Sequence, residues 1–153
     1  ALDGRHGKGR IGSRIGLSAD AFVFSNTTDM AALVSGHHDQ TKIDCVLVDE
    51  AQFLTDDQVW QLAEIVDELN IPVMCYGLRT DFQGNMFPGS ARLLAIADNL
   101  REIRTICHCG RKATMVVRQN ESGEVIRDGA QVEIGGNKKY VSLCRYHWRI
   151  AMS

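Results

Sequence analysis

The sequence predicts an α/β fold, in which a parallel sheet is flanked by helices, followed by a small C-terminal domain of short strands. An apolar run at residues 43–48 is followed by an amphipathic helical pattern and a second apolar run at residues 73–77, the order of a βαβ unit. After residue 106 the apolar runs shorten, alternate with polar residues and are separated by turn signals. We therefore place a domain boundary at residue 107.

The composition is that of an ordinary globular protein. The chain has 153 residues, of which 44% are hydrophobic and 24% charged, with a net charge of −2. This charge favours neither nucleic acid nor an anionic membrane as a partner, and no apolar run approaches the ~20 residues of a membrane span. Among the five cysteines, Cys45 and Cys75 lie in apolar runs and the others do not. This usage indicates a metal site rather than a disulfide framework, and a reducing, cytoplasmic compartment.

The first apolar run ends in two adjacent acids, Asp49 and Glu50. Its residues 46–48 suit a strand that is buried on both faces. Ligands bind at the carboxyl ends of strands in open α/β sheets. Two acids there indicate one carboxylate near a metal ion and one near a nucleophile, as on the Walker-B strand of P-loop nucleotide enzymes. The alternative is a strand that stops at two solvated acids.

The other elements follow from turn residues and periodicity. Residues 1–20 predict a basic loop, residues 22–24 a short strand and residues 26–35 a short helix. A capping box begins a helix at Thr55 that ends near Asn70, and Pro72 prevents its continuation.

Residues 78–87 predict a loop at the ligand edge of the sheet. Its aromatic residues, Phe82 and Phe87, either stack on a planar ligand or anchor the loop in the core. A helix then begins at Gly89 or Ser90, and residues 100–106 return as a strand.

Two short motifs near the C-terminus have metal-ligand spacing. Cys107 and Cys109 are separated by one residue, and Cys144 and His147 by two. Three sulfurs and one nitrogen match a closed tetrahedral Zn²⁺ site in a zinc ribbon that is too small to hold a core without metal. The one-residue gap is tighter than usual, and His108 is an alternative nitrogen ligand. Four protein ligands leave no open position, which indicates a structural zinc.

Taken together, these parts resemble the type II thymidine kinases, the small cytosolic, zinc-containing deoxynucleoside kinases. Besides the zinc positions, the matching stretches are residues 13–17 (SRIGL), 46–53 (VLVDEAQF), 75–82 (CYGLRTDF) and 134–137 (IGGN) with Tyr140. The resemblance implies a P-loop/RecA-like parallel sheet flanked by helices over residues 1–106. It also implies a small C-terminal zinc-ribbon (lasso) domain over residues 107–153.

The resemblance further implies an ATP- and Mg²⁺-dependent transfer of the γ-phosphate to the 5′-hydroxyl of thymidine, for DNA precursor synthesis, with Glu50 as the general base. It also implies that the cofactor-binding residues are Asp3, Arg5, Asp49 and Gln52, with Asp49 holding Mg²⁺. Phe82 would stack on thymine, and a lasso loop from residue 131 onward would close over the nucleoside. The implied substrate-binding residues are Phe53, Leu78, Phe82, Phe87, Gln131, Val132, Glu133, Ile134, Gly135 and Tyr140. A homotetramer with feedback inhibition by dTTP is also implied.

The sequence departs from the family in its phosphate-binding loop. Nothing matches G-x-x-x-x-G-K-[ST], which in the family lies upstream of the position of Asp3. We expect further sequence upstream, and a polypeptide that begins at Ala1 should have little or no kinase activity. Two other interpretations remain: a RecA-like ATPase or helicase fragment, since residues 49–52 resemble a DExx box, and a non-catalytic zinc-ribbon binding module.

Overall fold

The structure is a computed structural model that describes residues 9–13, 15–131 and 139–153. The chain divides into two compact units, Ala1–Gly77 and Leu78–Ser153. The domain boundary at residue 107 stays a prediction. Among the described residues, none of the helices has both the length and the apolar character that crossing a membrane requires.

The described part of the first unit begins with a hairpin, where the sequence predicts a loop. Strands β1 (Arg10–Gly12) and β2 (Ser18–Asp20) pair antiparallel, with Ile11 opposite Ala19. Gly16, at φ +88°, allows the chain to reverse between them. The prediction for residues 22–24 was wrong, because they form no strand. Helix α1 (Met30–His38) begins later than predicted, because Asp29 caps it by accepting a hydrogen bond from the Ala32 N–H at 2.8 Å.

The predicted strand–helix–strand unit is confirmed. Strand β3 (Val46–Val48) pairs in parallel with β4 (Val73–Cys75), and helix α2 (Asp56–Leu69) connects them. Both halves of the capping box between Thr55 and Gln58 form, and Asn70 ends the helix in the left-handed conformation. The larger P-loop/RecA-like sheet is not confirmed, because the parallel sheet of the described residues has two strands.

One face of this two-stranded sheet is open, and the predicted burial on both faces is wrong. Val48 is 4% exposed, whereas Leu47 is 65% exposed and Met74, its partner across the ladder, is 46% exposed. The apolar face of α2 covers one side of the sheet only. The helix contributes Val59, Leu62 and Ile65 to the core of this unit. Val48, Leu54 and Ile71, from outside the helix, are buried as well.

The second unit begins with the loop at residues 78–87, in which Thr80 and Met86 form an isolated antiparallel bridge. Helix α3 (Pro88–Ile96) follows, with proline in its first turn. The strand predicted over residues 100–106 is reduced to β5 (Thr105–Ile106), which pairs with β6 (Lys112–Ala113).

A three-stranded antiparallel sheet and a helix complete this unit. Strand β7 (Met115–Gln119) lies between β8 (Val125–Ile126) and β9 (Lys139–Leu143). Helix α4 (Arg145–Met152) packs on the sheet. The core between them contains Cys107, Val117, Leu143 and Cys144, with Trp148 packed against it. Two of the four predicted zinc ligands therefore lie in the core.

Candidate active site and metal centre

The two acids predicted to act in catalysis lie in a short segment that interrupts the pairing of β3 and β4. The Tyr76 N–H donates to the Val48 carbonyl, and the Tyr76 carbonyl accepts from the Ala51 N–H, both at 2.8 Å. Asp49 and Glu50 lie between these two anchor points, and Asp49 is exposed. The carboxylates are thus presented at the carboxyl end of the strand, as the sequence predicts.

Glu50 has a left-handed backbone, with φ 54° and ψ 38°. A non-glycine residue in this region carries strain of order 1–3 kcal/mol, and such residues cluster at functional sites. The following residues, Ala51–Phe53, form one turn of 3₁₀-helix, closed by the Phe53 N–H donating to the Glu50 carbonyl at 3.0 Å. This turn holds the strained conformation and places half-buried Phe53 beside it.

Gln52 fixes the side chain of Glu50. It is 2% exposed, and its Nε2 donates to the Glu50 Oε2. Gly77 packs directly against it: a Cβ on Gly77 would lie 2.5 Å from the Gln52 Oε1 and 3.0 Å from the Gln52 backbone nitrogen. The sequence pattern does not reveal this need for a glycine at residue 77, because the contact joins segments 25 residues apart.

The aromatic residues of the loop at residues 78–87 are buried. Phe82 is 1% exposed and Phe87 5%, so the structure shows them as hydrophobic anchors. Base stacking on Phe82 stays a prediction and requires that one face of its ring be uncovered. Leu78 is half-exposed, and its carbonyl accepts from the Ser90 hydroxyl at 2.6 Å.

Asp81, which sequence reasoning did not single out, organises this loop. It is 3% exposed, and its Oδ1 accepts from the backbone N–H groups of Gln83 at 2.9 Å and Asn85 at 2.8 Å. Its Oδ2 accepts from the Gln131 Nε2 at 3.0 Å. The loop that carries Phe82 is therefore bonded to the first predicted lasso residue. An aspartate followed by Gly84 and Asn85 is a turn signal that the sequence does contain.

The remaining predicted site residues lie on β9 or outside the described residues. Tyr140 lies on β9 and is 52% exposed. Asp3 and Arg5, predicted on the cofactor side, and Val132, Glu133, Ile134 and Gly135, predicted in the lasso, lie outside the described residues.

The four predicted zinc ligands come together in the second unit. The donor atoms of Cys107, Cys109, Cys144 and His147 all lie within 4.8 Å of one another. The Cys109 and Cys144 sulfurs are 3.8 Å apart, and the His147 Nδ1 lies 3.4 Å from the Cys107 sulfur and 3.5 Å from the Cys144 sulfur. For metal–ligand bonds of about 2.3 Å (S) and 2.0–2.1 Å (N), a tetrahedron has edges of about 3.8 and 3.6 Å. The donor set therefore fits a tetrahedral metal ion.

Local structure brings these ligands together. Residues 107–111 form a tight turn, in which the Gly110 N–H donates to the Cys107 carbonyl and the Cys107 N–H to the Arg111 carbonyl, both at 2.8 Å. Gly110 has φ +82°, which permits the reversal. Cys144 occupies the N-cap position of helix α4 and His147 follows three residues later, so both lie on one side of its first turn. His108 stacks on the His147 ring at 4.3 Å and is not one of the four ligands.

The electrostatics of the cluster favour one thiolate. Burial acts to raise the pKa of Cys107, but backbone hydrogen bonds from Cys109 and Cys144 and a side-chain bond with His147 outweigh it and lower the pKa to about 6. At Cys109 the Arg111 backbone N–H acts to lower the pKa, but desolvation and the neighbouring thiols raise it overall. A bound cation stabilises thiolates at such positions.

Known proteins match the chain along nearly its whole length. The family described as thymidine kinase matches residues 1–148. The chain belongs to the thymidine kinase family. A thymidine kinase of Idiomarina loihiensis is 62% identical over 152 residues, which are 99% of this chain and 79% of that protein. One from Agrobacterium fabrum is 64% identical over 148 residues, 97% of this chain and 77% of that protein.

A third relative, the thymidine kinase of Ruegeria pomeroyi, is 61% identical over 151 residues, 99% of this chain and 76% of that protein. The resemblance to the bacterial type II thymidine kinases is thus confirmed. Membership of this family decides against the helicase-fragment interpretation and against the non-catalytic zinc-ribbon module.

Proposed function

We propose that the protein is a thymidine kinase, which transfers the γ-phosphate of ATP to the 5′-hydroxyl of thymidine. The observation that carries this proposal is the anchored, left-handed Glu50 at the tip of β3. Its carboxylate accepts the proton of the 5′-hydroxyl as the oxygen attacks phosphorus. The amide of Gln52 holds the acceptor oxygen in place, so that little reorganisation is needed during the reaction.

Phosphoryl transfer also requires neutralisation of the phosphate charge. Asp49 is an exposed carboxylate beside Glu50, and oxygen ligands of this kind suit Mg²⁺, which keeps several waters in its shell. Mg²⁺, when bound, screens the phosphate oxygens and aligns them with the nucleophile. We assign Phe82 to stacking on the thymine ring and the lasso residues to contacts with its edge. The predicted Asp3 and Arg5 complete the cofactor side.

The proposal further includes a cytoplasmic location, a homotetramer and feedback by dTTP, which follow from the family resemblance. None of the five cysteines is in a disulfide, which supports a reducing compartment.

Ligand-dependent melting tests the nucleoside specificity. Thymidine or dTTP at about 100 times its dissociation constant stabilises a protein by about 2.7 kcal/mol, which raises Tm by about 5–10 °C at this chain length. Adenosine, used at the same concentration, is the matched control and should leave Tm unchanged. The absence of a shift with both thymidine and dTTP would contradict the proposal.

Replacement of the proposed base tests its catalytic role. Glu50→Gln should lower kcat by about 10²–10⁴-fold, because the amide cannot accept the proton. The thymidine-induced shift in Tm should persist. Glu68→Gln, on the exposed side of α2, makes the same chemical change as a control and should leave kcat unchanged. A Glu50→Gln enzyme with full activity would exclude Glu50 as the base.

We also propose that the cluster of the second unit binds one structural Zn²⁺. The distances among its sulfur and nitrogen atoms support this proposal, and four protein ligands leave no position for a reacting group. Elemental analysis should find about one zinc per chain, and Cys144→Ser should lose it. Cys45→Ser, which removes a thiol in the first unit, is the control. Full zinc content in Cys144→Ser would contradict this ligand set.

A further inference from the structure

Arg118 on strand β7 is a buried cation to which the sequence analysis gave no role. It is 1% exposed and is among the largest fully buried side chains of the described residues. Burial of a charge is unfavourable unless its surroundings compensate for the lost hydration. Replacement of a buried ionic group by an apolar one is often neutral or stabilising. Stability alone therefore gives a weak reason for an arginine at this position.

The contacts of Arg118 lead to the predicted nucleoside-binding parts. Its guanidinium carbon lies 3.9 Å from the centre of the Phe82 ring, a cation–π contact with one ring face. Its Nη1 donates to the Ala130 carbonyl at 3.0 Å. The chain at Gly129 approaches so closely that a Cβ there would lie 2.6 Å from the Arg118 Nη2.

The strand register adds a third connection. Arg118 is directly opposite Tyr140 in the β7–β9 ladder. Ala130 directly precedes Gln131, the first of the predicted lasso residues, and Tyr140 is the last of them. Arg118 thus contacts the residue just before the predicted lasso, lies opposite its last predicted residue, and stacks on Phe82.

Two more hydrogen bonds join the same two loops. The Gln131 Nε2 donates to the Asp81 Oδ2 at 3.0 Å, and the Gln83 Nε2 donates to the Asp128 Oδ1 at 3.3 Å. The loop around Phe82 and the segment at residues 128–131 therefore form one bonded assembly, with the guanidinium in its interior.

We propose that Arg118 is a positioning residue for nucleoside binding, an inference that rests on the proposed function. It covers one face of the Phe82 ring and donates to the Ala130 carbonyl, and so it holds together the two loops that carry the predicted nucleoside-binding residues Phe82 and Gln131. A planar, five-donor guanidinium can stack and donate at once, whereas a lysine ammonium cannot do both in this geometry. Loss of Arg118 leaves Phe82 and Gln131 unaligned, so that thymidine binding weakens while the phosphate chemistry is unchanged.

The test uses Arg118→Met, Arg118→Lys and the exposed control Arg101→Met. In both Arg118 variants the KM for thymidine should rise roughly 10- to 100-fold, because a stacked, hydrogen-bonded contact is lost. The KM for ATP and kcat at saturating thymidine should stay within about threefold of the unsubstituted values. The reason is that the substitution weakens binding of the nucleoside equally in the ground state and in the transition state. The Arg101 variant should match the unsubstituted enzyme.

The outcomes separate this inference from the proposed function. If the unsubstituted protein binds no thymidine by calorimetry, the proposed function fails. If it binds thymidine and Arg118→Met binds it equally well, only the inference fails. An equal loss of kcat and of ATP affinity would indicate a merely structural role and would also overturn it. Should Arg118→Met not fold, Gly129→Ala displaces the guanidinium instead and must raise the KM for thymidine selectively.

Discussion

Substitution of Gly77 by alanine tests how Glu50, the proposed catalytic base, is anchored, and the structure gives the distances on which the expected effect depends. The added Cβ would lie 2.5 Å from the Gln52 Oε1, 3.0 Å from the Gln52 backbone nitrogen and 3.2 Å from that of Ala51. The two backbone atoms belong to the 3₁₀ turn, and the buried Gln52 side chain has no open space to enter. Overpacking of this kind costs about 1–3 kcal/mol. We expect a loss near 2 kcal/mol, which lowers Tm by about 4–8 °C.

The assay compares this variant with Gly36→Ala, which makes the same chemical change inside helix α1. No neighbouring atom lies within 4 Å of a Cβ at Gly36, and alanine is favoured over glycine within helices by about 0.5–1 kcal/mol. Urea unfolding should therefore show opposite signs for the two variants. Gly77→Ala should also lower kcat, because displacement of Gln52 releases the Glu50 carboxylate.

Equal stability of Gly77→Ala and the unsubstituted protein would refute the reasoning about close approach. A destabilised variant with an unchanged kcat would refute the positioning of Glu50 through Gln52 and leave the packing argument intact.

Three further predictions concern other parts of the chain. Thr55→Ala removes the hydroxyl that accepts from the Gln58 N–H at 3.2 Å and should reduce the free energy of unfolding by about 1 kcal/mol in urea; an unchanged value would show that the cap is dispensable. Asp81→Ala leaves three donors without their acceptor in a buried loop and should destabilise by about 3 kcal/mol, measured by thermal melting. Burial raises the pKa of Cys75 to about 11, so its thiol stays protonated at pH 8 and alkylation should be about 100-fold slower than in urea-unfolded protein, rising with pH toward 11. Equal alkylation rates in native and unfolded protein, by mass spectrometry, would contradict that shift.

The sequence alone determined those features that depend on neighbouring residues. The capping box at Thr55 and the left-handed Asn70 define helix α2, because both ends are closed by hydrogen bonds within a few residues. The strand on each side of it follows from short apolar runs. The Cys/His cluster that could hold a metal ion could also be predicted, since Cys144 and His147 share one helical turn and Cys107 and Cys109 one tight turn.

Tertiary structure decided what depends on contacts between distant segments. The exposure of Leu47 depends on which face of the sheet α2 covers, and an apolar run carries no such information. The strained backbone of Glu50 is held by Tyr76, and the side chain of Gln52 is confined by Gly77. Arg118 has a charged side chain and is nevertheless buried, because its guanidinium contacts the Phe82 ring and the Ala130 carbonyl, which belong to two other loops. Local hydrogen bonds can be predicted from a few consecutive residues, whereas these contacts form only when folding brings distant segments of the chain together.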